Sequence, residues 1–479
     1  MILRHTLLYT GVKFLPALAS LAALMIFTRL MSPAQFGGYS LTVSVSATLV
    51  AIFANFIVIG LGRFEPAVKS DSERDILHST ITSTAIMISL SVTLFILLLE
   101  LFNLLPSLSV DFIFLVVLFN VSLLLMLSQK LINANLQPKR YGLSLALKNF
   151  LLLGFGSVSL LLGFGMPAVL ASLTVACLIA SLPAVSLWGN ISLKRFNLDV
   201  LRQLWTYGAP LTLLYLFVMI ISFSDRIFID VMLGSSEVGI YSAGYDLTQY
   251  TIGFVASIIH LAAFPIILST YEKEGEEKTK TLLTTSFKVL LLLMVPVTLG
   301  FIATQSEIAK LLLGEAFSST AITLMPILAL SVLLSAIKSY YFDYTFQLTK
   351  TTWLQAIPPL IAAVINCILN YILILHWGLI GAAYATLVSF IIYLIATIYL
   401  SSKIFNLPPF PWLFTVKVGI SGLVMAFSVS ALPTILPMLP LLIFKILLGA
   451  IVFSVLLFVL LKGEVVSLIE NIKHHQRLS

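Results

Sequence analysis

The chain has 479 residues, of which 59% are hydrophobic and only 10% are charged, and its formal net charge at pH 7 is +7. Soluble domains contain about 25% charged residues, so this composition excludes a soluble globular protein. Apolar runs of about 20 residues recur, and each can cross a hydrocarbon core of about 30 Å as a helix. Because short alternating strands are absent, we do not expect an outer-membrane barrel. The sequence predicts an all-α polytopic membrane protein.

Taken in chain order, the apolar runs predict about fourteen transmembrane helices. The first run is long, carries Lys13 and is followed by many others, so we interpret it as a span and not as a cleaved signal peptide. The predicted limits are 12–30, 39–61, 77–102, 110–132, 142–162, 167–187, 206–230, 243–268, 286–304, 321–345, 353–375, 379–402, 413–433 and 441–461.

Basic residues occur in every second connection between the spans. They begin with Arg63 and Lys69 and end with Arg477 in the tail, whereas the other connections hold little that is basic beyond Arg29 and Lys310. Since Lys and Arg are enriched in cytosolic loops, both termini are predicted to be cytosolic. The net positive charge then fits loops that face anionic membrane lipids, and we expect no nucleic-acid partner.

A polar connection between two apolar spans, here called the elbow, occurs in two similar copies. The copies are RLMSPAQFGGYSLTVSV at 29–45 and VMLGSSEVGIYSAGYDL at 231–247. An even number of spans separates the copies, so the two halves have the same orientation. This predicts a six-helix lobe at 1–190, a cytosolic linker at 191–205, a second six-helix lobe at 206–402, and two terminal helices with a tail at 403–479. Parallel repeats of this kind are typical of transporters in which one lobe rocks against the other.

The repeated elbow places a glycine and a tyrosine at equivalent positions. Gly37 and Gly239 are expected to permit a tight turn or close helix packing. Tyr39 and Tyr241 are expected at the outer interface, where an amphipathic ring is stable.

Several of these segments together resemble a known family. TRLMSPAQFGGYSL, SDRIFIDVMLGSSEVGIYSAGYDLTQ, AAFPIILSTYEKEG and GLIGAAYATLVS are similar to motifs of bacterial polysaccharide-transport proteins. These are flippases of O-antigen or exopolysaccharide repeat units, in a superfamily that includes lipid II flippases and multidrug extruders. The resemblance implies an inner-membrane transporter that moves undecaprenyl-diphosphate-linked oligosaccharides from the cytosolic to the periplasmic leaflet by alternating access.

Basic side chains inside the spans are the candidates for substrate binding. A Lys or Arg at the centre of a span costs roughly 2.5–3.5 kcal/mol, so it tends to face a cavity or a partner. Such cations could neutralise a diphosphate or reach the headgroup layer by snorkelling. The candidates are Lys148, Lys338, Arg226, Arg63, Lys13 and Lys288. We favour a cavity for Lys148 and Lys338, and snorkelling for Lys13, Arg63, Lys288 and Lys417.

Acidic residues are the candidates for ion coupling, because a carboxylate at a cavity wall can bind H⁺ or Na⁺. The candidates are Asp225, Asp246 and Asp343. For Asp225 the open alternative is a structural ion pair, shared with Asp230, to Arg226.

Other polar and aromatic residues in the spans have a structural and a functional interpretation. Asn366 and Asn370 share a helix face and could bind sugars, although hydrogen bonding between helices is the more common use. The cluster YYFDYTF at 340–346 is interpreted as an interfacial aromatic belt in preference to a sugar-stacking surface.

The function favoured by these features is lipid-linked glycan transport. The alternative is a multidrug cation antiporter of the same fold, against which intramembrane Lys148 and Lys338 argue. An enzyme is not expected, because the outer loops are short. No metal-binding spacing and no Walker loop occur, so no cofactor is expected. H⁺ or Na⁺ enters only as the ion that a carboxylate could couple to transport. The expected partners are the glycan substrate, membrane lipids and the polysaccharide polymerase machinery.

Overall fold

A computed structural model describes the backbone of residues 2–103, 108–349, 351, 353–433 and 437–478, and the side chains of these residues except 2–13, 262 and 465–478. The predicted site residue Lys13 therefore has a side chain outside the described part.

The described residues form α-helices joined by short turns, with no β-strand among them. The α-helices are α1 (Ile2–Leu30), α2 (Pro33–Phe53), α3 (Asn55–Phe64), α4 (Asp71–Leu101), α5 (Phe112–Ala134), α6 (Pro138–Leu161), α7 (Gly165–Ser181), α8 (Leu198–Leu233), α9 (Ser235–Thr248), α10 (Phe254–Glu274), α11 (Glu276–Ala303), α12 (Gln305–Leu312), α13 (Glu315–Ile337), α14 (Asp343–Leu348), α15 (Ile357–Ile404), α16 (Trp412–Ser430) and α17 (Met438–Leu478). Turns of 3₁₀ helix lie at Glu65–Ala67, Leu182–Leu187, Leu193–Arg195 and Leu354–Ala356. Turns of π-helix lie at Gln249–Gly253 and Lys338–Phe342.

The fourteen predicted spans all fall on helical segments, and 39–61, 243–268 and 321–345 each include parts of two α-helices. Within the described residues, eleven helical segments are long and apolar enough to cross a membrane, and a shorter apolar helix covers Phe14–Leu30. The predicted all-α polytopic membrane fold is confirmed, and the number of fourteen spans is compatible with it.

Gly378 separates the eleventh and twelfth predicted spans inside α15. Its backbone is not helical, with φ 56° and ψ −138°, a conformation that glycine adopts without the clash of a Cβ atom. The chain reverses so tightly that a Cβ on Gly381 would lie 2.0 Å from the carbonyl oxygen of Leu373. The element α15 therefore contains two predicted spans that meet at Gly378.

The chain divides into two compact units. Unit 1 comprises residues 1–243 and 352–389, and unit 2 comprises residues 244–351 and 390–479. In unit 1, α6 packs against α1 and α7, α5 against α2 and α7, and α8 against α2 and α3. In unit 2, α11 packs against α10, α13 and α16, and α17 packs against α16. The division into six-helix lobes stays a prediction.

The core of unit 1 is apolar and lies where α3, α4, α5 and α8 meet. Ile57, Ile81, Phe119, Leu131 and Leu204 are fully buried there. Between membrane spans such side chains stabilise the fold through van der Waals packing, because the lipid is as apolar as they are. This cluster therefore fixes α8, the helix that carries two of the predicted site residues.

Candidate functional site

Asp225 lies in α8 and is completely buried inside unit 1. Its carboxylate accepts three hydrogen bonds. The Tyr241 hydroxyl donates to Oδ2 at 2.6 Å, the Thr386 hydroxyl donates to the same oxygen at 2.5 Å, and Asn370 Nδ2 donates to Oδ1 at 2.6 Å. The donors come from α9 and from both halves of α15, so this one carboxylate connects three segments of unit 1.

Asn366 extends the cluster around Asp225. Its Oδ1 accepts from the Ser224 hydroxyl at 2.8 Å and from Asn370 Nδ2 at 3.1 Å. Asn366 Nδ2 and Asn370 Oδ1 are buried without a hydrogen-bond partner among the described residues. An unsatisfied buried polar atom costs about 1–3 kcal/mol, so the cluster has donor and acceptor capacity that a further group could use.

The chemistry of this cluster suits a small cation. Asp225 forms no ion pair within the described part of the chain, although a buried charge is costly unless it is paired or hydrogen-bonded. Carboxylate, hydroxyl and amide oxygens are the ligands that hard cations prefer, and a buried carboxylate can also take up a proton. We call Asp225, Tyr241, Asn366, Asn370 and Thr386 the Asp225 cluster.

Arg226, the next residue, points to different partners. It is buried, its Nε donates to the Ser242 hydroxyl at 2.9 Å, and its Nη1 donates to the Ser44 hydroxyl at 2.8 Å. The neighbouring carboxylate of Asp230 accepts from the backbone N–H of Ser109 at 2.6 Å. Arg226 thus joins the copies of the repeated elbow, because Ser44 and Ser242 belong to one copy each.

The two elbows also touch through their glycines. A Cβ on Gly37 would lie 1.8 Å from the carbonyl oxygen of Ser235, and a Cβ on Gly239 would lie 2.0 Å from the carbonyl oxygen of Pro33. Pro33 and Ser235 are themselves equivalent positions of the repeat. Of the two roles predicted for these glycines, the structure shows close packing, and each elbow packs against the matching part of the other.

Lys338 and Asp343 form a buried ion pair inside unit 2. Lys338 Nζ lies 2.7 Å from Asp343 Oδ2 and 3.9 Å from the centre of the Tyr393 ring. The exposed fractions are 5% for Lys338 and 7% for Asp343. The two residues are joined by a π-helical turn, and their charges cancel within the pair.

The other predicted site residues are dispersed. Lys148 is partly exposed on α6 and has no ion pair or hydrogen bond within the described residues. Arg63 is exposed, with its guanidinium 6.0 Å from the Tyr207 ring. Lys288 Nζ lies 3.7 Å from a Glu464 carboxylate oxygen, and Asp246 is partly buried on α9. Their predicted roles stay predictions.

Sequence reasoning missed a buried network around Glu65 and His78. His78 Nδ1 accepts the backbone N–H of Gly189 at 2.8 Å, so its Nε2 carries the proton and donates to Glu65 Oε2, also at 2.8 Å. Burial raises the pKa of Glu65, but the hydrogen bonds from His78 and Asn135 and the charge of Arg74 outweigh burial, so the pKa is held below the usual value of a glutamate.

The same part of α4 holds the segment after α7 through further hydrogen bonds. Asp75 accepts from the Asn190 N–H at 2.7 Å, and the Ser79 hydroxyl accepts from the Ser192 N–H at 3.0 Å. Within unit 1, the first half of the predicted 191–205 linker is therefore fixed to α4.

Two expectations about aromatic residues were wrong. Tyr241, expected at an interface, is only 1% exposed, and its hydroxyl donates to the buried Asp225. The 340–346 segment, expected to form an interfacial belt, is mostly core. Its fully or nearly buried members are Tyr341, Phe342, Tyr344 and Phe346.

Comparison with known proteins shows to which protein family the chain belongs. A family model described as "Polysaccharide biosynthesis protein" matches residues 2–271, which is more than half of the chain. The chain belongs to this family. The chain is also 29% identical over 210 residues to the probable low-salt glycan biosynthesis flippase Agl15 of Haloferax volcanii, an alignment that covers 42% of the chain and 43% of that relative. The chain thus matches less than half of the relative's length.

Solved structures of similar fold come from two groups of transporters. The chain matches lipid II flippase MurJ in an inward closed conformation with a TM-score of 0.74 and 15% identity, over 96% of this chain and 100% of that one. It matches an inward-facing multidrug resistance MATE family transporter of the MOP superfamily with a TM-score of 0.66 and 15% identity, over 83% of this chain and 98% of that one. At these identities the likeness shows the fold.

The predicted membership of the polysaccharide-transport family is therefore confirmed. The relatives named here are flippases or transporters, which supports the prediction that the chain is not an enzyme.

Proposed function

We propose that this protein flips lipid-linked glycans across a membrane. The observation that carries the proposal is the family match over residues 2–271. The glycan biosynthesis flippase among the relatives and the lipid II flippase among the similar folds support it. In its finer form, the cargo is an undecaprenyl-diphosphate-linked repeat unit of O-antigen or exopolysaccharide, which moves from the cytosolic to the periplasmic leaflet of the bacterial inner membrane. Both termini are then cytosolic, and a polysaccharide polymerase consumes the product.

Asp225 is the coupling group in this proposal. Its carboxylate is buried in a predicted span, has no basic partner among the described residues, and is bound only by hydroxyl and amide donors. Uptake of H⁺ or Na⁺ would neutralise it and change the hydrogen bonds between α8, α9 and α15. Ion binding at this carboxylate would therefore alter the relative stability of two arrangements of these helices, which is what coupling requires.

The test uses proteoliposomes loaded with lipid-linked oligosaccharide extracted from cells that lack the protein. Leaflet-specific labelling measures transbilayer movement with and without a pH or Na⁺ gradient. Wild type should respond to one gradient, and Asp225→Asn should lose that response by about tenfold. Asp199→Asn, at an exposed acid in the first turn of the same helix, should behave as wild type. Wild-type protein that moves no labelled glycan would overturn the proposed function.

A multidrug cation antiporter is the second candidate, and one observation bears on it. Asp343 neutralises Lys338, so of the two lysines that argue against a cationic cargo only Lys148 has no ion-pair partner within the described residues. Lys148→Gln separates the candidates. It should impair glycan movement if the cargo is a diphosphate, whereas export of cationic dyes by wild-type protein would favour the antiporter.

A further inference from the structure

Two π-helical turns lie side by side in unit 2. One, Gln249–Gly253, precedes α10, and the other, Lys338–Phe342, follows α13; each contacts the helix next to the other turn. Such turns are rare and frequently mark functional sites. Each turn includes one residue more than an α-helical turn, which changes the direction of the side chains that follow.

His260 of α10 lies in a stack of aromatic rings that includes Tyr340 of the second π-helical turn. Its ring centre is 4.9 Å from that of Tyr340 and 5.4 Å from that of Phe264, with interplanar angles of 26° and 24°. The hydroxyl of Tyr344, a completely buried residue, lies 2.8 Å from His260 Nδ1. The imidazole is therefore fixed from its buried side, while His260, Tyr340 and Phe264 all remain partly exposed.

The partial exposure of His260 and Tyr340 is notable because their side chains are polar. His260 and Phe264 belong to the candidate membrane span Ser235–Glu274, and Tyr340 belongs to the candidate span Glu315–Leu348. A polar group exposed inside a span is costly in contact with lipid, so an imidazole or phenol there faces a hydrated cavity or a ligand by preference. The hydroxyl of Tyr340 forms no hydrogen bond with the described residues, and it is available to a ligand.

We propose that His260, Tyr340 and Phe264 form a stacking surface for a sugar ring of the transported glycan. This inference rests on the proposed function. A pyranose has an apolar C–H face that packs on aromatic rings, and its hydroxyls can bond to phenol and imidazole groups. A cationic ligand fits less well, because the adjacent carboxylate of Asp343 is already bound by Lys338 at 2.7 Å.

The test compares two defined probes, undecaprenyl diphosphate that carries N-acetylglucosamine and undecaprenyl diphosphate without sugar. Binding to full-length protein in nanodiscs is measured for wild type, Tyr340→Leu and His260→Leu. We expect wild type to prefer the glycosylated probe. Each leucine variant should bind that probe roughly three- to tenfold more weakly and bind the bare carrier as wild type does, which also verifies folding.

Matched variants separate the ring from its polar group. Tyr340→Phe and His260→Phe keep a flat ring and should retain most of the preference, and Tyr399→Leu, at an exposed tyrosine of α15 in the same unit, should change nothing. Equal binding of both probes by wild type, or an unchanged preference in the leucine variants, overturns the stacking surface and leaves the proposed function standing. Failure of wild type to bind either probe overturns the proposed function and the inference with it.

Discussion

Alanine at Gly37 tests whether the two elbows must touch. The added Cβ would lie 1.8 Å from the carbonyl oxygen of Ser235, whereas Cβ atoms essentially never approach a neighbour within 3.0 Å. The neighbour is backbone at the start of α9, so it cannot rotate away as a side chain would. Overpacking of this kind costs about 1–3 kcal/mol, while alanine returns up to about 1 kcal/mol through helix propensity. We expect a net loss of stability.

Thermal unfolding of the purified protein measures this loss, and the chain supplies its own controls. Gly154→Ala makes the same change in α6, where a Cβ meets nothing within 4 Å, and should stabilise the protein. Gly38→Ala, beside the flexible Met166 side chain at 2.8 Å, should have a small effect. If Gly37→Ala unfolds at the same temperature as Gly154→Ala, the close packing of the elbows is not what the geometry indicates.

Three further predictions concern stability and use the same measurement. Because the pKa of Glu65 is lowered in the folded state, its stabilising contribution is present above the pKa of the unfolded chain and is lost as the pH falls through the lower folded-state pKa. Glu65→Gln should flatten this dependence of stability on acid pH, and a variant with the wild-type pH profile would contradict the assignment. Lys445 Nζ lies 2.6 Å from Glu307 Oε1 in a buried ion pair. Lys445→Met should therefore destabilise the protein by about 3–5 kcal/mol, and the double variant Lys445→Met, Glu307→Leu should recover most of this stability. A double variant no more stable than the single one would argue against the pair. Gly378→Ala should cost about 1–3 kcal/mol, because φ 56° with ψ −138° lies in a region that residues other than glycine rarely adopt. Wild-type stability would show that the kink tolerates a Cβ.

Most of the fold could be predicted because span length and composition are local properties of the sequence. Every predicted span falls on helical segments, and even the break between the last two spans of the second lobe has a local signal in Gly378. The close packing at Gly37 and Gly239 was also expected. The repeat could not predict that each glycine packs against the elbow of the other copy, because sequence similarity between two segments does not show that they are in contact.

The Asp225 cluster shows where sequence reasoning stops. Asp225 was a candidate, and Asn366 and Asn370 were expected to bond between helices. Thr386 and Tyr241 were missed as its partners, and Thr386 is 161 residues away along the chain. A threonine in an apolar span and a tyrosine in the repeated elbow carry no local signal of this role. The pairing of Lys338 with Asp343 could likewise not be predicted, because it depends on the π-helical turn between them.

The contact between the elbows has a consequence for how such a chain could arise. It is isologous: Gly37 contacts Ser235 of the second copy, and Gly239 contacts Pro33, the equivalent of Ser235, in the first copy. An interface of this type is self-complementary and closes a symmetric pair. A half-length ancestor would have carried both sides of the contact, so two separate chains could have formed it as a homodimer before gene duplication and fusion joined them. The fused protein would then have inherited a ready-made subunit interface as an internal joint.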